Sequence, residues 1–426
     1  MNNSQRTRYA RKIGLAVLAS GMCLSLADYA AQAQDAVTAI RAAKLIPISG
    51  AEISNGVILI RGGKIVAVGP AASVPIPPDA TVVQADVAMP GTVEAHTSRG
   101  MDAPNENVSV VPFVSTADGI DPVNITFEDA LRDGITTLQI IQGNNTVVGG
   151  TGIIVRPVGP TVENMLVKRP GAMKLSLAPS GGRSRITQLA ELKRAFEDFT
   201  TYRKGLDERR ATAKKAGQPE EAIDPKQAAM LDLVYGRLKA FLYCPSDVEV
   251  LRAIDFVMAQ KIKVVLVLGP DCYRTAGAIA KAGLSVVLDP KLVTWETDED
   301  QDKEVRHILP LEFYRAGVKF ALEAAPTSLA SRYLFYQAAQ AVSYGVPRAT
   351  ALRSITLTPA ELIGLEARTG SLEAGKDANI LLLTGDPLAS GTWVDRVYIE
   401  GHLAYERKND IRLQKLLTGK EPADAR

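Results

Sequence analysis

The most constraining feature of this sequence is the alternation of short apolar runs with helical patterns between residues 89 and 358. Strands that alternate with amphipathic helices are typical of a parallel sheet with helical crossovers. Eight strands are predicted, the number in a (β/α)8 barrel. They cover residues 91–97, 135–141, 152–156, 173–177, 240–243, 264–268, 285–288 and 318–323. A charged, mainly helical insertion at 189–239 follows the fourth strand, and late helices are predicted at 337–345 and 349–355.

The two ends of the chain have a different pattern of short strands separated by glycine turns. Residues 57–60 and 65–68 are apolar runs around a Gly-Gly-Lys turn, and residues 81–83 add another strand. Towards the other end, a Gly-Lys-Asp turn precedes apolar residues, and residues 397–401 close a hairpin. Both ends are therefore predicted to be β-structure outside the central α/β region.

Two motifs carry a resemblance to a known family. Residues 89–100, MPGTVEAHTSRG, resemble the first barrel strand of the amidohydrolase superfamily, which usually reads P-G-[LF]-[IV]-D-A-H-[TS]-H. Residues 370–379, GSLEAGKDAN, are similar to a signature of the small β-sandwich beside these barrels. Within the superfamily, the chain most resembles the imidazolonepropionase-like group. The resemblance implies a TIM-like barrel at 89–358, a composite β-sandwich from 34–88 plus 359–405, and a tail at 406–426.

The N-terminus is predicted to be a secretory signal peptide covering residues 1–33. It has a basic start, an apolar run at 13–27 and an A-x-A cleavage site at 31–33. Cleavage removes four basic residues and one acidic residue, which lowers the formal net charge from +2 to −1. A nearly neutral mature chain argues against a nucleic-acid partner, and no other apolar run is long enough to span a membrane. We expect a soluble periplasmic protein.

The resemblance also implies where a metal site would lie. Amidohydrolases hold one or two divalent metals at the C-terminal ends of the strands. Their ligands are H-x-H from strand one, often a carbamylated lysine from strand four, histidines from strands five and six, and an aspartate from strand eight. In this chain the corresponding residues are His96, Ser98, Lys174, Tyr243, Leu268 and Ala325, with Glu323 one layer deeper than Ala325.

The histidine count decides between two hypotheses. The chain has three histidines, of which His307 is interpreted as a loop residue and His402 as a surface or edge-strand residue. His96 is then the one surviving residue at a ligand position, whereas zinc takes about three protein ligands even in an open catalytic site. We therefore expect no metal cofactor. Under the alternative, an active hydrolase with reduced coordination, zinc or another divalent metal would bind.

The sequence favours a metal-depleted pseudoenzyme that binds a small ligand or supports a partner. The alternative is an active hydrolase of carbon–nitrogen bonds that uses His96 and Lys174. A homo-oligomer, or a mixed oligomer with an active amidohydrolase homologue, is predicted. Cys244 and Cys272 follow neighbouring predicted strands in an oxidising compartment and are a candidate disulfide.

Overall fold

The computed structural model describes residues 36–298, 303–325 and 332–419. The predicted signal peptide lies outside the described residues. The strands are β1 Thr38–Leu45, β2 Ile53–Arg61, β3 Lys64–Pro70, β4 Thr81–Pro90, β5 Thr92–Thr97, β6 Ile135–Ile140, β7 Val148–Thr151, β8 Ile153–Val155, β9 Leu166–Lys168, β10 Met173–Ser176, β11 Ala240–Cys244, β12 Val264–Leu268, β13 Ser285–Leu288, β14 Val293–Asp298, β15 Lys303–Ile308, β16 Phe320–Leu322, β17 Ile380–Leu383, β18 Val394–Ile399 and β19 His402–Glu406.

The helices alternate with the strands along most of the chain. They are α1 Ile125–Arg132, α2 Val162–Met165, α3 Arg185–Lys215, α4 Ala228–Val234, α5 Asp247–Gln260, α6 Ala276–Ala282, α7 Leu309–Arg315, α8 Leu334–Ser343, α9 Arg348–Arg353, α10 Leu357–Ile363 and α11 Ile411–Thr418. The predicted charged insertion is mainly α3, which begins with a Ser184 cap on the Thr187 N–H. Across the described ranges, no helix combines the length and apolar character needed to cross a membrane.

The two ends of the chain combine in one seven-stranded sheet of order β19-β18-β17-β4-β1-β2-β3. The segments join where β17 pairs antiparallel with β4, with Leu381 opposite Met89. One face of the sheet carries a cluster of buried residues around Ile58 and Ile380, and the other packs against Leu131 and Leu352 of the helices. The two ends of the chain were predicted to form a composite β-sandwich; in the described residues they form this single sheet, and a two-sheet sandwich is not seen there.

The central strands form two larger sheets and the separate antiparallel pair β14-β15. One has the order β16-β13-β12-β11-β10-β7, in which the five strands from β10 to β16 are parallel neighbours. The other has the order β5-β6-β8-β9, with β5 and β6 parallel. Residues 354–355 lie between the sheets, because Ser354 accepts a bond from Leu322 N and Ile355 accepts one from Val93 N. The fold is therefore mixed α/β, and the described strands do not form one closed, hydrogen-bonded barrel.

The predicted third barrel strand is wrong in direction. Its residues form β8, which pairs antiparallel with β6. The cause lies at Gly152, between β7 and β8, where the N–H donates to Ala172 O at 2.7 Å. A Cβ at Gly152 would lie 2.5 Å from Ile140 O, so this close backbone approach requires glycine. β7, before Gly152, pairs with β10, whereas β8, after it, pairs with β6.

Candidate functional site

His96 reaches the interior because of a bulge in β5. Glu94 lies opposite Leu138 and Thr97 opposite Ile140, so β5 has one residue more than β6 over this stretch. Val93 and Ala95 pack in the interior cluster. The extra residue also allows the His96 ring to point inward, where it stacks parallel to Phe241 with a centroid distance of 6.4 Å.

A hydrogen-bonded chain of Glu323, His96 and Lys174 forms the centre of the site. His96 Nδ1 lies 3.0 Å from Glu323 Oε1, and His96 Nε2 lies 2.7 Å from Lys174 Nζ. Lys174 Nζ also donates to Asn144 Oδ1 at 2.6 Å. These hydrogen bonds connect β5, β10, the residues after β16 and the residues after β6. The structure therefore brings together three of the predicted site residues, which are far apart in sequence.

The proton positions in this chain can be arranged in two ways. Lys174 can donate to Nε2 while Nδ1–H donates to the Glu323 carboxylate, or protonated Glu323 can donate to Nδ1 while Nε2–H donates to a neutral Lys174 amine. Both arrangements keep the imidazole neutral, as expected because burial and then the Lys174 charge lower the pKa of His96. Burial also lowers the pKa of Lys174 and raises the pKa of Glu323, which favours the uncharged ends.

The other predicted pocket residues differ in how they contribute. Tyr243 faces the interior, and its ring centroid lies 5.7 Å from Lys174 Nζ, within cation–π range. Burial raises the pKa of the Tyr243 hydroxyl to about 12. Ser98 is half-buried and lies in the loop beyond β5. It is not a partner of the His96 ring, because the two ring nitrogens bond to Glu323 and Lys174. Ala325 is half-buried, two residues beyond Glu323.

Leu268 does not line the pocket. Its side chain packs with Leu266 and Cys244 in the large cluster outside the interior, whereas Val265 and Val267 face inward. The next inward position is Gly269, where a Cβ would lie 2.3 Å from Pro245 O. A histidine ligand has no room at the end of this strand.

The predicted Cys244–Cys272 disulfide is wrong, because both cysteines are free and buried. Cys272 opens a short 3-10 turn, and its thiol donates to the Cys244 carbonyl at 3.5 Å instead of meeting the sulfur. Burial raises the pKa of both thiols, so they are poor nucleophiles.

The two remaining histidines lie away from the site residues. His307 is in β15 and not in a loop as predicted, with Nε2 3.0 Å from Glu296 Oε2 and its ring stacked on Tyr273 at 3.9 Å. The interpretation of His402 as an edge-strand residue is confirmed, since it begins β19 at the edge of the terminal sheet and is exposed.

Sequence reasoning missed two features of the site. Asn144 was not among the predicted site residues, yet its side chain accepts a hydrogen bond from Lys174. Glu94 and Arg99 form a buried ion pair behind β5, with Nε of Arg99 2.9 Å from Oε2 of Glu94. Burial raises the pKa of Glu94, although Arg99 opposes this. The available signal was a pair of opposite charges five residues apart within the motif, one on each side of His96.

The donor set fits a divalent metal poorly. Both ring nitrogens of His96 already bond to protein groups, and one of these groups is a lysine side chain. Within the part of the chain that the structure describes, no three His, Cys, Asp or Glu side chains are grouped so that they could hold a metal ion. Because zinc takes about three protein ligands, we derive no chemical step through a metal.

Comparison with known sequences gives matches to amidohydrolases over parts of the chain. The model of the Amidohydrolase family matches residues 259–404. The amidohydrolase tasK of Hapsidospora irregularis is 35% identical over 78 residues, which is 18% of this chain and 8% of that protein. The N-substituted formamide deformylase of Arthrobacter pascens is 44% identical over 63 residues, which is 13% of this chain and 12% of that protein. Each sequence match therefore spans a small part of the curated relative.

The solved structures cover much more of the chain. An amidohydrolase from Thermotoga maritima MSB8 aligns with a TM-score of 0.77 and 25% identity, over 87% of this chain and 100% of that chain. A prolidase complexed with N-methylphosphonate-L-proline aligns with a TM-score of 0.52 and 15% identity over 87% of this chain and 100% of that chain, which shows a shared fold alone. The family match and the first of these structures agree with the sequence motifs, and together they support membership of the amidohydrolase superfamily.

Proposed function

We propose that this protein is a metal-independent, non-hydrolytic member of the superfamily that binds a small ligand at the mouth of a barrel-derived fold. In this proposal the two central sheets correspond to a modified (β/α)8 barrel, and the terminal sheet corresponds to the composite sandwich. The observation that carries the proposal is the use of both His96 nitrogens by Glu323 and Lys174.

The residues at the other ligand positions support this reading. Serine, tyrosine, leucine and alanine stand at positions 98, 243, 268 and 325, so no imidazole or carboxylate joins His96 from those positions. A metal-activated water needs a metal held by about three ligands. Glu323 keeps 18% of its side-chain surface exposed, so a ligand that enters the mouth can reach the hydrogen-bonded chain.

The decisive experiment combines metal analysis with a hydrolysis assay. Protein purified without chelator should contain far less than one equivalent of zinc. It should not hydrolyse N-substituted formamides or dipeptides, with or without added Zn²⁺. His96→Ala is the test variant and Ser98→Ala the matched control. A tightly held stoichiometric metal, together with hydrolysis that His96→Ala abolishes and Ser98→Ala keeps, would overturn the proposal.

The second candidate is a carbon–nitrogen hydrolase with reduced metal coordination. The identity of 44% over 63 residues with N-substituted formamide deformylase favours it. The same experiment separates the two candidates, because the hydrolase requires turnover of an amide substrate that depends on His96.

We also propose that the protein is exported and acts beside a partner. The basis for export is the predicted signal peptide, and N-terminal sequencing of exported protein should begin near Gln34 and not at Met1. The proposed partner is a second copy or an active amidohydrolase homologue. Light scattering on the purified protein should show an oligomer, and a strict monomer that co-purifies with no homologue would contradict the partner proposal.

A further inference from the structure

We propose that the mouth binds a small organic cation that carries N–H donors, such as a primary ammonium group, between Asp289 and Glu323. This inference rests on the proposed ligand-binding function and names the chemical class of the ligand. The observation that carries it is a pair of carboxyl groups after neighbouring strands, each with one oxygen left free.

Asp289 and Glu323 follow two neighbouring parallel strands, β13 and β16. Val287 of β13 lies opposite Ala321 of β16, and both side chains pack in the interior cluster. Asp289 and Glu323 each come two residues later, so the period of two directs both side chains towards the same interior side. Neighbouring strands lie about 4.8 Å apart, which makes the two carboxyl groups close neighbours. Burial raises the pKa of Asp289 to about 6, and the nearby Glu323 carboxyl adds to this rise.

Each carboxyl group uses one oxygen within the protein and leaves the other free. Oδ1 of Asp289 accepts the N–H of Lys291 at 2.7 Å, and Oε1 of Glu323 lies 3.0 Å from Nδ1 of His96. Among the described residues, Oδ2 of Asp289 and Oε2 of Glu323 have no hydrogen-bond partner. Oε2 is an acceptor in both proton arrangements, because any shared proton lies between Oε1 and Nδ1. Asp289 is half-buried and Glu323 is 18% exposed, so a ligand in the mouth reaches both.

Asp289 also lacks a counter-cation. Within the part of the chain that the structure describes, no lysine, arginine or histidine side chain forms an ion pair with it, and the Lys291 side chain is exposed. The internal segments 299–302 and 326–331, outside the described ranges, contain no lysine, arginine or histidine. Holding a carboxylate partly out of water without a partner is costly, and a bound cation removes that cost. Ionisable groups in this condition cluster at functional sites.

Tyr243 adds a third acceptor beside the two carboxyl groups. It is half-buried at the end of β11, and burial and then the Asp289 charge raise the pKa of its hydroxyl to about 12. The hydroxyl therefore stays neutral, and it has no hydrogen-bond partner in the described ranges. Lys174 does not fill this site, because it is fully buried and its nitrogen already bonds to His96 and Asn144.

These groups together favour a cation over other small ligands. Three acceptors around one negative charge suit the three N–H donors of a primary ammonium group. An anion would be repelled by Asp289, and a neutral alcohol would gain no charge pairing.

The test compares n-butylammonium, 1-butanol and butanoate, which are similar in size and differ in charge. Each is titrated into the purified protein by isothermal titration calorimetry at about pH 7.5, where an alkylamine is charged. The test variant is Asp289→Asn, which removes the charge at nearly constant shape. Asp255→Asn is the matched control, because the Asp255 side chain is 75% exposed on α5. Metal content and amide hydrolysis are measured on the same preparation.

We expect n-butylammonium to bind wild type at least about tenfold more tightly than 1-butanol or butanoate, and Asp289→Asn to lose at least about fivefold of that affinity. Asp255→Asn should behave as wild type. If Asp289→Asn does not fold, the three ligands on wild type and Tyr243→Phe, expected to bind about threefold more weakly, decide the question. Equal binding of the three ligands, no binding of n-butylammonium, or unchanged affinity in the folded mouth variants would overturn the ligand class and leave the metal-independent function intact. Stoichiometric metal with amide hydrolysis would instead overturn the proposed function, whatever the titrations give.

Discussion

Removing one member of the buried ion pair between Glu94 and Arg99 should destabilise the protein strongly, whereas replacing both members with apolar residues should not. Their side chains are 0% and 2% exposed, and Oε1 of Glu94 and Nη2 of Arg99 have no hydrogen-bond partner. Removing one member of a buried pair typically costs about 3–5 kcal/mol, because the other charge stays buried without compensation. Glu94→Leu should therefore lower the free energy of unfolding by about 3–5 kcal/mol.

Replacing both charges should restore stability. Similar-volume apolar replacement of a buried pair is often neutral or stabilising by about 1–4 kcal/mol, and the two unpartnered atoms make that outcome more favourable here. We expect Glu94→Leu/Arg99→Met to be at least as stable as wild type. The matched control is Glu128→Leu, because the Glu128 side chain is 65% exposed and its change should stay within about 0.5 kcal/mol.

Unfolding in urea is followed by far-ultraviolet circular dichroism and tryptophan fluorescence. Wild type, Glu94→Leu, Arg99→Met and the double variant are compared as a double-mutant cycle. The pH dependence adds a second check. Burial raises the pKa of Glu94, and the loss of Arg99 should raise this pKa further. In folded Arg99→Met the Glu94 carboxyl therefore stays protonated at pH values where it is already ionised in the unfolded chain. The stability deficit of this variant should shrink as pH falls from neutral towards 5. Single variants that each cost under about 1 kcal/mol, or a double variant no better than the worse single one, would refute the reasoning.

Three further predictions concern the mouth and the core. Burial raises the pKa of Asp289 to about 6, so wild-type stability should fall as pH rises from about 4 to about 6. Asp289→Asn should remove that slope in pH-dependent unfolding, and an Asp289 carboxyl that titrates by NMR near its ordinary pKa would contradict it. Cys244 and Cys272 should react slowly with a thiol reagent in the native protein and fully on unfolding without reductant, whereas a mass deficit of two hydrogens would show a disulfide. Asn144→Ala should cost about 1–3 kcal/mol, because the buried Lys174 side chain loses a hydrogen-bond partner; it should be compared with Asn145→Ala, and equal small effects would show that Asn144 does not hold Lys174.

Strand periodicity allowed much of the central region to be predicted. Residues 172, 174 and 176 alternate regularly along β10, so an inward Lys174 follows from period two. The same rule places Glu323 on the face of Ala321. These positions could be identified because the strands are short, apolar and regular where the side chains matter.

The remaining features depend on contacts that periodicity does not contain. The bulge in β5 separates Glu94 from His96, although plain alternation puts both on one face. Leu268 was predicted to line the pocket, but the inward-facing positions at the end of β12 lie one residue away, at Val267 and Gly269. The side chain of Asn144 and the direction of β8 depend on tertiary packing around Gly152 and Lys174.

The pairing of β4 with β17 has a consequence for how the chain can fold. Beside that pair, Lys64 and Asp377 form an ion pair although they are 313 residues apart in sequence. Closing a flexible loop of that length costs about 5 kcal/mol of chain entropy before the new contacts compensate it. The terminal sheet therefore cannot be completed during synthesis until the last tenth or so of the chain has emerged, and a chain stopped before Ile380 leaves β4 as an unpaired edge. Such truncated chains should aggregate through that edge even when every residue of the central region is present.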